Sequence, residues 1–149
     1  MPRRPSAPSQ RRARRVSNAK LSPKEQGALA ELAFLYRAAA LGLIAMQPHG
    51  DTAPYDVVLD TGRRFLCVQV KSAAHPRGHA YEVNAGRGRY IKRPYSARDI
   101  HFLAAWLIPD NVWYIIPISA LRRRKTLRLH PSLPSCPFSP FREAWHLLL

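Results

Sequence analysis

Acidic residues and cysteines are both scarce in this 149-residue chain. Only 9 Asp and Glu face 24 Lys and Arg, which gives a formal net charge of +15. So large a positive excess indicates a polyanionic partner. Nucleic acid is favoured over an anionic membrane, because the chain carries neither a lipidation signal nor a basic amphipathic helix. Cys67 and Cys136 are too few for a disulfide framework and suit a reducing compartment.

A membrane-length apolar run and a zinc-ligand pattern are also missing. The stretch from Ala28 to Met46 is long enough to span a bilayer, but Glu31 and Arg37 interrupt it. His75 and His79 have no further ligands near them in sequence, which argues against zinc. Because the basic start is followed by Pro, Ser and more Arg, we expect no secretory signal and a cytoplasmic location.

The first twenty residues differ in composition from the rest of the chain. They contain seven Lys or Arg, three Pro and no acidic residue. Such a segment has too little to bury, so we expect a disordered basic tail at 1–21 and one folded domain at 22–149. Two interpretations of the tail stay open, a clamp on the phosphate backbone and a solvated segment without a specific role.

A strong helix start opens the domain at Ser22-Pro23-Lys24-Glu25, with a hydroxyl N-cap, Pro at the first helical position and a capping-box carboxylate. The helix is predicted to run to about Leu41 and to end at Gly42, before a short buried strand at Leu43–Met46. Further predicted elements are a strand at Ala80–Asn84, a hairpin of Asp99–Ile108 and Val112–Pro117, and a helical turn at Ile118–Leu121. This order predicts an α/β or α+β fold with a mixed sheet.

The most informative segment is a hairpin formed by Pro54–Asp60 and Arg63–Lys71. Side chains alternate across a strand, so Gln69 and Lys71 share a face with Cys67 and lie opposite the apolar Leu66, Val68 and Val70. With Thr61-Gly62 as a two-residue turn, Asp60 pairs with Arg63 and Asp56 pairs with Cys67. The carboxylate of Asp56 is then expected on the same face as Gln69 and Lys71.

Glu31 lies on or beside the apolar stripe of the first helix. A carboxylate in that position needs a partner, because a buried charge is costly unless it is paired or bound to a cation. Two alternatives stay open: Glu31 shares a cation with the hairpin, or it sits at the edge of the stripe and pairs with Arg37 or another base.

Taken in order, Glu31, Pro54-Tyr55-Asp56 and Gln69-Val70-Lys71 resemble the motif of the PD-(D/E)XK nuclease superfamily. The glutamine variant and the downstream pattern of Tyr95, Asp99–Ala104 and Val112–Pro117 are similar to the branch that includes group I intron-encoded homing endonucleases. The resemblance implies a restriction-endonuclease-like mixed β-sheet flanked by helices. It also implies an endonuclease that cuts DNA with Mg²⁺ or Mn²⁺, in the bacterial cytoplasm or nucleoid.

The resemblance implies a role for each motif residue. Asp56, the side-chain oxygen of Gln69 and the Val70 carbonyl would bind the metal, Glu31 would support them, and Lys71 would hold or activate the attacking water. Because Gln69 replaces an acid and removes a negative charge, a catalytically inactive nucleic-acid-binding module on the same fold is the alternative.

Two basic clusters are predicted to bind DNA. Their members are Arg87, Arg89, Lys92 and Arg93 in one segment and Arg122, Arg123, Arg124 and Lys125 in the other. We expect Asp99 and His101 to share a strand face, and Trp106, Trp113 and Tyr114 to lie in the core or a subunit contact. The segment Phe141–Leu149 is expected to cover a sheet edge or to pair with another copy in a homo-oligomer, a dimer or tetramer.

Overall fold

The computed structural model describes residues 20–149, so the predicted basic tail lies almost entirely outside the described residues. The helices are α1 (Pro23–Ala40) and α2 (Ile118–Leu121), followed by 3-10 helices at Ser139–Phe141 and Trp145–Leu148. The strands are β1 (Ile44–Met46), β2 (Val57–Asp60), β3 (Phe65–Ala73), β4 (Tyr81–Asn84), β5 (Gly86–Arg87), β6 (Arg93–Pro94), β7 (Phe102–Leu107), β8 (Val112–Pro117) and β9 (Thr126–Leu129). None of the helices in 20–149 combines the length and apolar character that crossing a membrane requires.

Five strands form one mixed sheet in the order β1-β2-β3-β7-β8. Strands β3 and β7 run parallel, and every other neighbouring pair in this sheet is antiparallel. Strands β4 and β9 form a separate two-stranded sheet, and β5 and β6 form another. The predicted α+β class with a mixed sheet is confirmed.

Local signals in the sequence set both ends of α1. The Ser22 hydroxyl accepts a hydrogen bond from Glu25 N at 3.3 Å, and the Glu25 carboxylate accepts one from Ser22 N at 2.9 Å. This reciprocal pair satisfies two N–H groups that the first turn leaves free. At the other end Gly42 has a φ of 79°, the left-handed conformation that glycine adopts at low cost. The predicted start and end of the helix are confirmed.

The large sheet is covered on both faces. On one face α1 buries Phe34 against Val68 and other strand residues, and Trp113 and Trp145 complete this cluster. On the opposite face, side chains such as Leu103 and Ile116 pack against the small sheet of β4 and β9. The alternation predicted for β3 is confirmed, since Leu66, Val68 and Val70 all lie in the cluster under α1.

The turn between β2 and β3 is longer than predicted. Asp60 pairs with Phe65, not with Arg63, because the loop has four residues, Thr61–Arg64. Its tight part is closed by Gly62 N donating to the Asp60 carboxylate at 2.7 Å. The register is therefore shifted by two residues from the prediction. A shift of two preserves the side-chain alternation, so the predicted shared face survives the wrong pairing.

Two further predictions about the strands are wrong. Strand β1 is not buried: Ile44 is 63% exposed, because β1 is the sheet's edge strand and pairs only with β2. Asp99 and His101 do not share a strand face, because β7 begins only at Phe102 and Asp99 lies in the preceding turn. The hairpin of β7 and β8, the strand β4 and the short helix α2 are confirmed.

The C-terminal segment covers the free edge of β8, as one of the two alternatives predicted. Arg142 forms a β-bridge with Tyr114, and Glu143 exchanges hydrogen bonds with the backbone of Trp113. Trp145 then packs beside Phe34, with ring centroids 5.7 Å apart. Trp113 and Tyr114 are buried, so their predicted place in the core is confirmed.

Candidate active site

An open strand edge creates the site. Because β2 begins only at Val57, which pairs with Val68, the second half of β3 has no strand beside it on that side in the described residues. Val70 therefore turns its backbone N–H and carbonyl toward an unoccupied edge. Asp56, the residue just before β2, lies at this gap, and its own N–H donates to Val68 O at 3.0 Å.

The carboxylate of Asp56 is fixed by two donors. Its Oδ2 accepts a hydrogen bond from Val70 N at 2.8 Å and another from Gln69 Nε2 at 2.5 Å. The same Gln69 nitrogen lies 3.5 Å from the Val70 carbonyl oxygen. Gln69 is 7% exposed and is the one buried polar side chain found within residues 20–149. Asp56 thus lies beside Gln69, and the predicted pairing with Cys67 is wrong. The predicted face, which Asp56 shares with Gln69, is correct.

Lys71 and Glu31 reach the same place from β3 and α1. One cavity of about 840 Å³ is lined by Glu31, Asp56, Gln69, Val70 and Lys71, with Gly27 and Ala30 of α1 forming part of its wall. Helix α1 contributes because it crosses the face of the sheet next to the open edge of β3. The structure brings together every residue that was predicted as catalytic or metal-binding.

Burial and mutual charge determine the ionisation of these groups. Burial raises the pKa of Asp56, against the lowering effect of the Val70 N–H, the Lys71 charge and the Gln69 amide. Burial also raises the pKa of Glu31, and the charge of Asp56 adds to the rise while Lys71 opposes it. The pKa of Lys71 is lowered by burial, despite the nearby carboxylates of Asp56 and Glu31. Two partly buried acids close together are costly unless positive charge lies between them.

The donor set suits a hard divalent cation. The Gln69 nitrogen, a positively polarised group, occupies the space between the Asp56 carboxylate and the Val70 carbonyl. The nitrogen and oxygen of a carboxamide exchange places on a half-turn, which would present a third oxygen there. Carboxylate, amide and backbone oxygens are the ligands that Mg²⁺ and Mn²⁺ prefer. Within 20–149 no group of three His, Cys, Asp or Glu side chains is placed to hold a metal, and two of the three candidate oxygens, those of Gln69 and Val70, are neutral.

Several residues in or beside the cavity were not predicted. Gln47 Nε2 donates to Glu31 Oε2 at 3.5 Å and so helps to orient that carboxylate. Gln26 Nε2 donates to Ser72 Oγ at 3.1 Å and ties α1 to β3 at the mouth of the cavity. His75 and Asn84 line the cavity as well. Of these residues only His75 was considered in the sequence, where it was set aside as a zinc ligand with His79.

The two basic clusters meet beside this cavity. Lys92 from the first cluster and Lys125 from the second line a groove of about 500 Å³ together with Asn84. Asn84 also lines the cavity of Asp56 and Lys71, so the groove and the cavity share a wall at this residue. The charge of Lys92 contributes to the lowered pKa of Lys71, in agreement with a position of Lys92 near the site.

Other members of the basic clusters have partners within the protein. Arg87 forms an ion pair with Asp99, and Asp99 in turn accepts hydrogen bonds from Ser96 N and Ser96 Oγ at 2.9 Å each. The guanidinium of Arg124 lies 5.7 Å from the centre of the Phe138 ring. Arg122 and Arg123 follow α2 in left-handed conformations and are exposed. None of these four arginines is placed in the cavity or in the groove, whereas Lys92 and Lys125 are.

Comparisons with known proteins give the family. A family model described as PD-(D/E)XK endonuclease matches residues 21–147. The solved structure of I-Ssp6803I, a bacterial homing endonuclease, is similar, with 29% identity, a TM-score of 0.76, and coverage of 86% of this chain and 93% of that chain. Hjc, a Holliday junction resolvase from Archaeoglobus fulgidus, matches with 19% identity and a TM-score of 0.48 over 72% of this chain and 85% of that chain. No curated protein matches.

The family match and the homing endonuclease match agree with the predicted PD-(D/E)XK superfamily. The structural similarity to the homing endonuclease extends over 86% of this chain and 93% of that chain. The family match covers α1, the hairpin with its Asp56 and Lys71, and the C-terminal segment. The chain therefore belongs to the PD-(D/E)XK endonuclease family.

Proposed function

We propose that the protein is a metal-dependent endodeoxyribonuclease that hydrolyses phosphodiester bonds, with Mg²⁺ or Mn²⁺ held by Asp56, Gln69 and the Val70 carbonyl. Glu31 supports this site from α1. The observation that carries the proposal is the position of the Asp56 carboxylate, which is fixed by Val70 N and Gln69 in the cavity that Lys71 also lines. A fixed carboxylate needs little reorganisation when a cation and a phosphate arrive.

Each residue has a definite task in this proposal. A divalent cation bound here polarises the phosphate and offsets the charge that develops on it. The amine of Lys71 holds the attacking water in line and stabilises negative charge, and its lowered pKa eases proton exchange with that water. Glu31, which Gln47 holds by a hydrogen bond, orients water on the helix side of the cavity. Lys92 and Lys125 bind the neighbouring phosphates in the groove beside it.

One fact favours DNA as the substrate, and another favours nucleic acid in general. The similar I-Ssp6803I is a homing endonuclease, and the chain carries a formal net charge of +15. Charge alone attracts any nucleic acid, so the similarity is what favours DNA over RNA.

The neutral side chain of Gln69 also supports a second candidate function. Gln69 is neutral where the family motif has an acid, and its amide nitrogen already satisfies Asp56 without any cation. A protein with this arrangement could keep the fold and the basic groove and still have lost hydrolysis. The second candidate is therefore a nucleic-acid-binding module without catalytic activity.

A cleavage assay separates the two functions. Supercoiled plasmid and DNA from around the protein's own coding locus are incubated with Mg²⁺ or Mn²⁺ and with the parent, Asp56→Asn or Lys71→Met. Asp60→Asn, at the other end of β2, and Lys24→Met, on the exposed first turn of α1, are the matched controls. The nuclease predicts cleavage by the parent and both controls, its loss in the two site variants, and DNA binding by all five proteins. Binding by the parent without cleavage of any substrate supports the module.

We also propose that the protein acts as a homo-oligomer, a dimer or a tetramer. Two active sites related by symmetry could cleave both strands of a duplex, whereas a single site cleaves one strand at a time. Light scattering of the full chain with and without duplex DNA tests this, and a monomer under both conditions would contradict it.

A further inference from the structure

The hairpin of β5 and β6 carries two exposed apolar side chains at its tip, residues 89–91. Tyr90 is 89% exposed and Ile91 is 74% exposed, and both lie in the turn between β5 and β6. Large apolar side chains in such positions gain stability only when a partner covers them. A pair of them at the end of a protruding hairpin is suited to insertion into a partner molecule.

Positive charge surrounds this pair. The Arg89 guanidinium lies 5.6 Å from the centre of the Tyr90 ring, and Lys92 and Arg93 follow Ile91 directly. An apolar tip among cations does not suit a neutral protein surface. It suits duplex DNA, because the cations match the phosphates at the rim of a groove and the apolar atoms match the base stack inside it.

The hairpin is preformed. At its base, Arg87 is paired with Asp99, and Gly86 N donates to Asn84 Oδ1 at 2.9 Å. Gly88 has a φ of 99°, and the Ile91 carbonyl fills the space that a side chain at Gly88 would need. A tip held in this way can enter a groove without first becoming ordered, so less binding energy is lost.

The residue that follows the tip, Lys92, lies near the candidate active site. Lys92, the residue after Ile91, lines the groove that shares Asn84 with the cavity of Asp56 and Lys71, and its charge acts on Lys71. A strand bound in that groove would bring the base step beside the cleaved phosphate within reach of the hairpin.

We propose that the hairpin tip enters a groove of duplex DNA beside the scissile phosphate and inserts Ile91, flanked by Tyr90, at a base step, which unstacks that step and bends the duplex. This inference rests on the proposed function to the extent that the substrate is duplex DNA. Apolar wedges of this kind separate stacked bases and kink the helix, and the bend lets the protein contact more DNA. The tip would then select cleavage sites by how easily a step deforms.

Fluorescence of 2-aminopurine reports the unstacking directly. The probe is a duplex recovered from a random-sequence pool by binding to the full chain in Ca²⁺, with 2-aminopurine placed at successive positions. The parent is expected to raise the fluorescence at a localised step, and a variant with both Tyr90→Ser and Ile91→Ser is expected to lose the rise while still binding. Tyr36→Ser, at an α1 residue that is 74% exposed, is the matched control and should keep it. Ile91→Leu should also keep it, because the wedge stays apolar.

The outcomes are distinct from those of the cleavage assay. A bound parent that raises fluorescence at no position, or a double variant that keeps the rise, overturns the wedge. Cleavage without unstacking overturns only the wedge. Unstacking by a protein that never cuts overturns only the nuclease and supports the wedge.

Discussion

Nε2 of Gln69 donates to Oδ2 of Asp56 at 2.5 Å, so a neutral amide meets the carboxylate at the centre of the candidate site. The family motif has an acid at this position, and an acid there would face Asp56 with a like charge. The glutamine therefore reduces the electrostatic cost of the site when no cation is bound. Because Gln69 carries no negative charge, it also attracts a cation less strongly than the acid of the family motif would.

Gln69→Glu should make the stability of the protein strongly cation-dependent. Two carboxylates in contact destabilise the fold without a cation, and binding of Mg²⁺ or Ca²⁺ to the folded state recovers the loss by mass action. We expect a lower Tm than the parent in EDTA and a larger rise in Tm on adding the cation, both measured by differential scanning fluorimetry. Gln26→Glu, in the same cavity but bonded to Ser72, is the control and should show neither effect. Equal responses of the two variants would contradict a cation at Gln69.

Lys92→Ala with Lys125→Ala should weaken DNA binding by removing two phosphate contacts. Each phosphate contact adds about 0.9 to the slope of log K against log salt, so the slope should fall by about 2. Fluorescence anisotropy at several salt concentrations measures it. The double variant Arg63→Ala and Arg64→Ala removes the same charge from the exposed turn between β2 and β3 and should change the slope less. An equal change in both would mean that the groove has no special part in binding.

Asp99→Asn should lower the free energy of unfolding at neutral pH but not at strongly acidic pH. Burial raises the pKa of Asp99, but hydrogen bonds from Ser96 and the charge of Arg87 outweigh it and hold the pKa below its ordinary value. A lowered pKa means that the stabilisation is complete above the ordinary Asp range, about pH 4, and is lost as pH falls through the folded-state pKa.

Urea unfolding from neutral to strongly acidic pH measures this effect. The parent should exceed Asp99→Asn by about 1–3 kcal/mol at neutral pH, and the gap should close below about pH 4. Ser96→Ala, which removes only the hydroxyl donor, should give an intermediate gap at neutral pH. A gap that does not change with pH would contradict the stated cause.

Glu143→Ala should destabilise the fold more than its partly exposed position indicates. Its carboxylate accepts hydrogen bonds from Trp113 N and Trp145 Nε1, both at 2.7 Å, and pairs with Arg37 at 3.3 Å. Loss of these bonds leaves two donors near the core unsatisfied, at a cost of about 1–3 kcal/mol in unfolding free energy. Glu82→Ala breaks only the exposed ion pair with Arg77 and should cost about 0.5 kcal/mol or less. Similar losses in the two variants would contradict the account.

Local signals could be predicted from the sequence, and distant pairings could not. The ends of α1 were predictable because Ser22, Glu25 and Gly42 act on neighbouring residues. The shared face of Asp56 and Gln69 was predicted correctly despite the wrong register, because a four-residue turn differs from a two-residue turn by an even number.

The remaining features depend on the order of strands in space. The exposure of β1 follows from its place at the edge of the sheet, which no local pattern reveals. Asn84 reaches the cavity on β4, which pairs with β9 from more than forty positions away, as Asn84 and Thr126 show. The same tertiary pairing brings Lys92 and Lys125 into one groove, whereas their basic segments alone gave no reason to select these two from eight candidates.

Anomalous diffraction from crystals of the full chain grown or soaked with Mn²⁺ shows whether a cation binds at the open edge of β3. We expect one strong peak there, at about 2.0–2.3 Å from an Asp56 carboxylate oxygen, the Gln69 side-chain oxygen and the Val70 carbonyl. The peak should vanish in Asp56→Asn. A parent crystal with no peak there, or with a peak that survives Asp56→Asn, would contradict the proposed metal site.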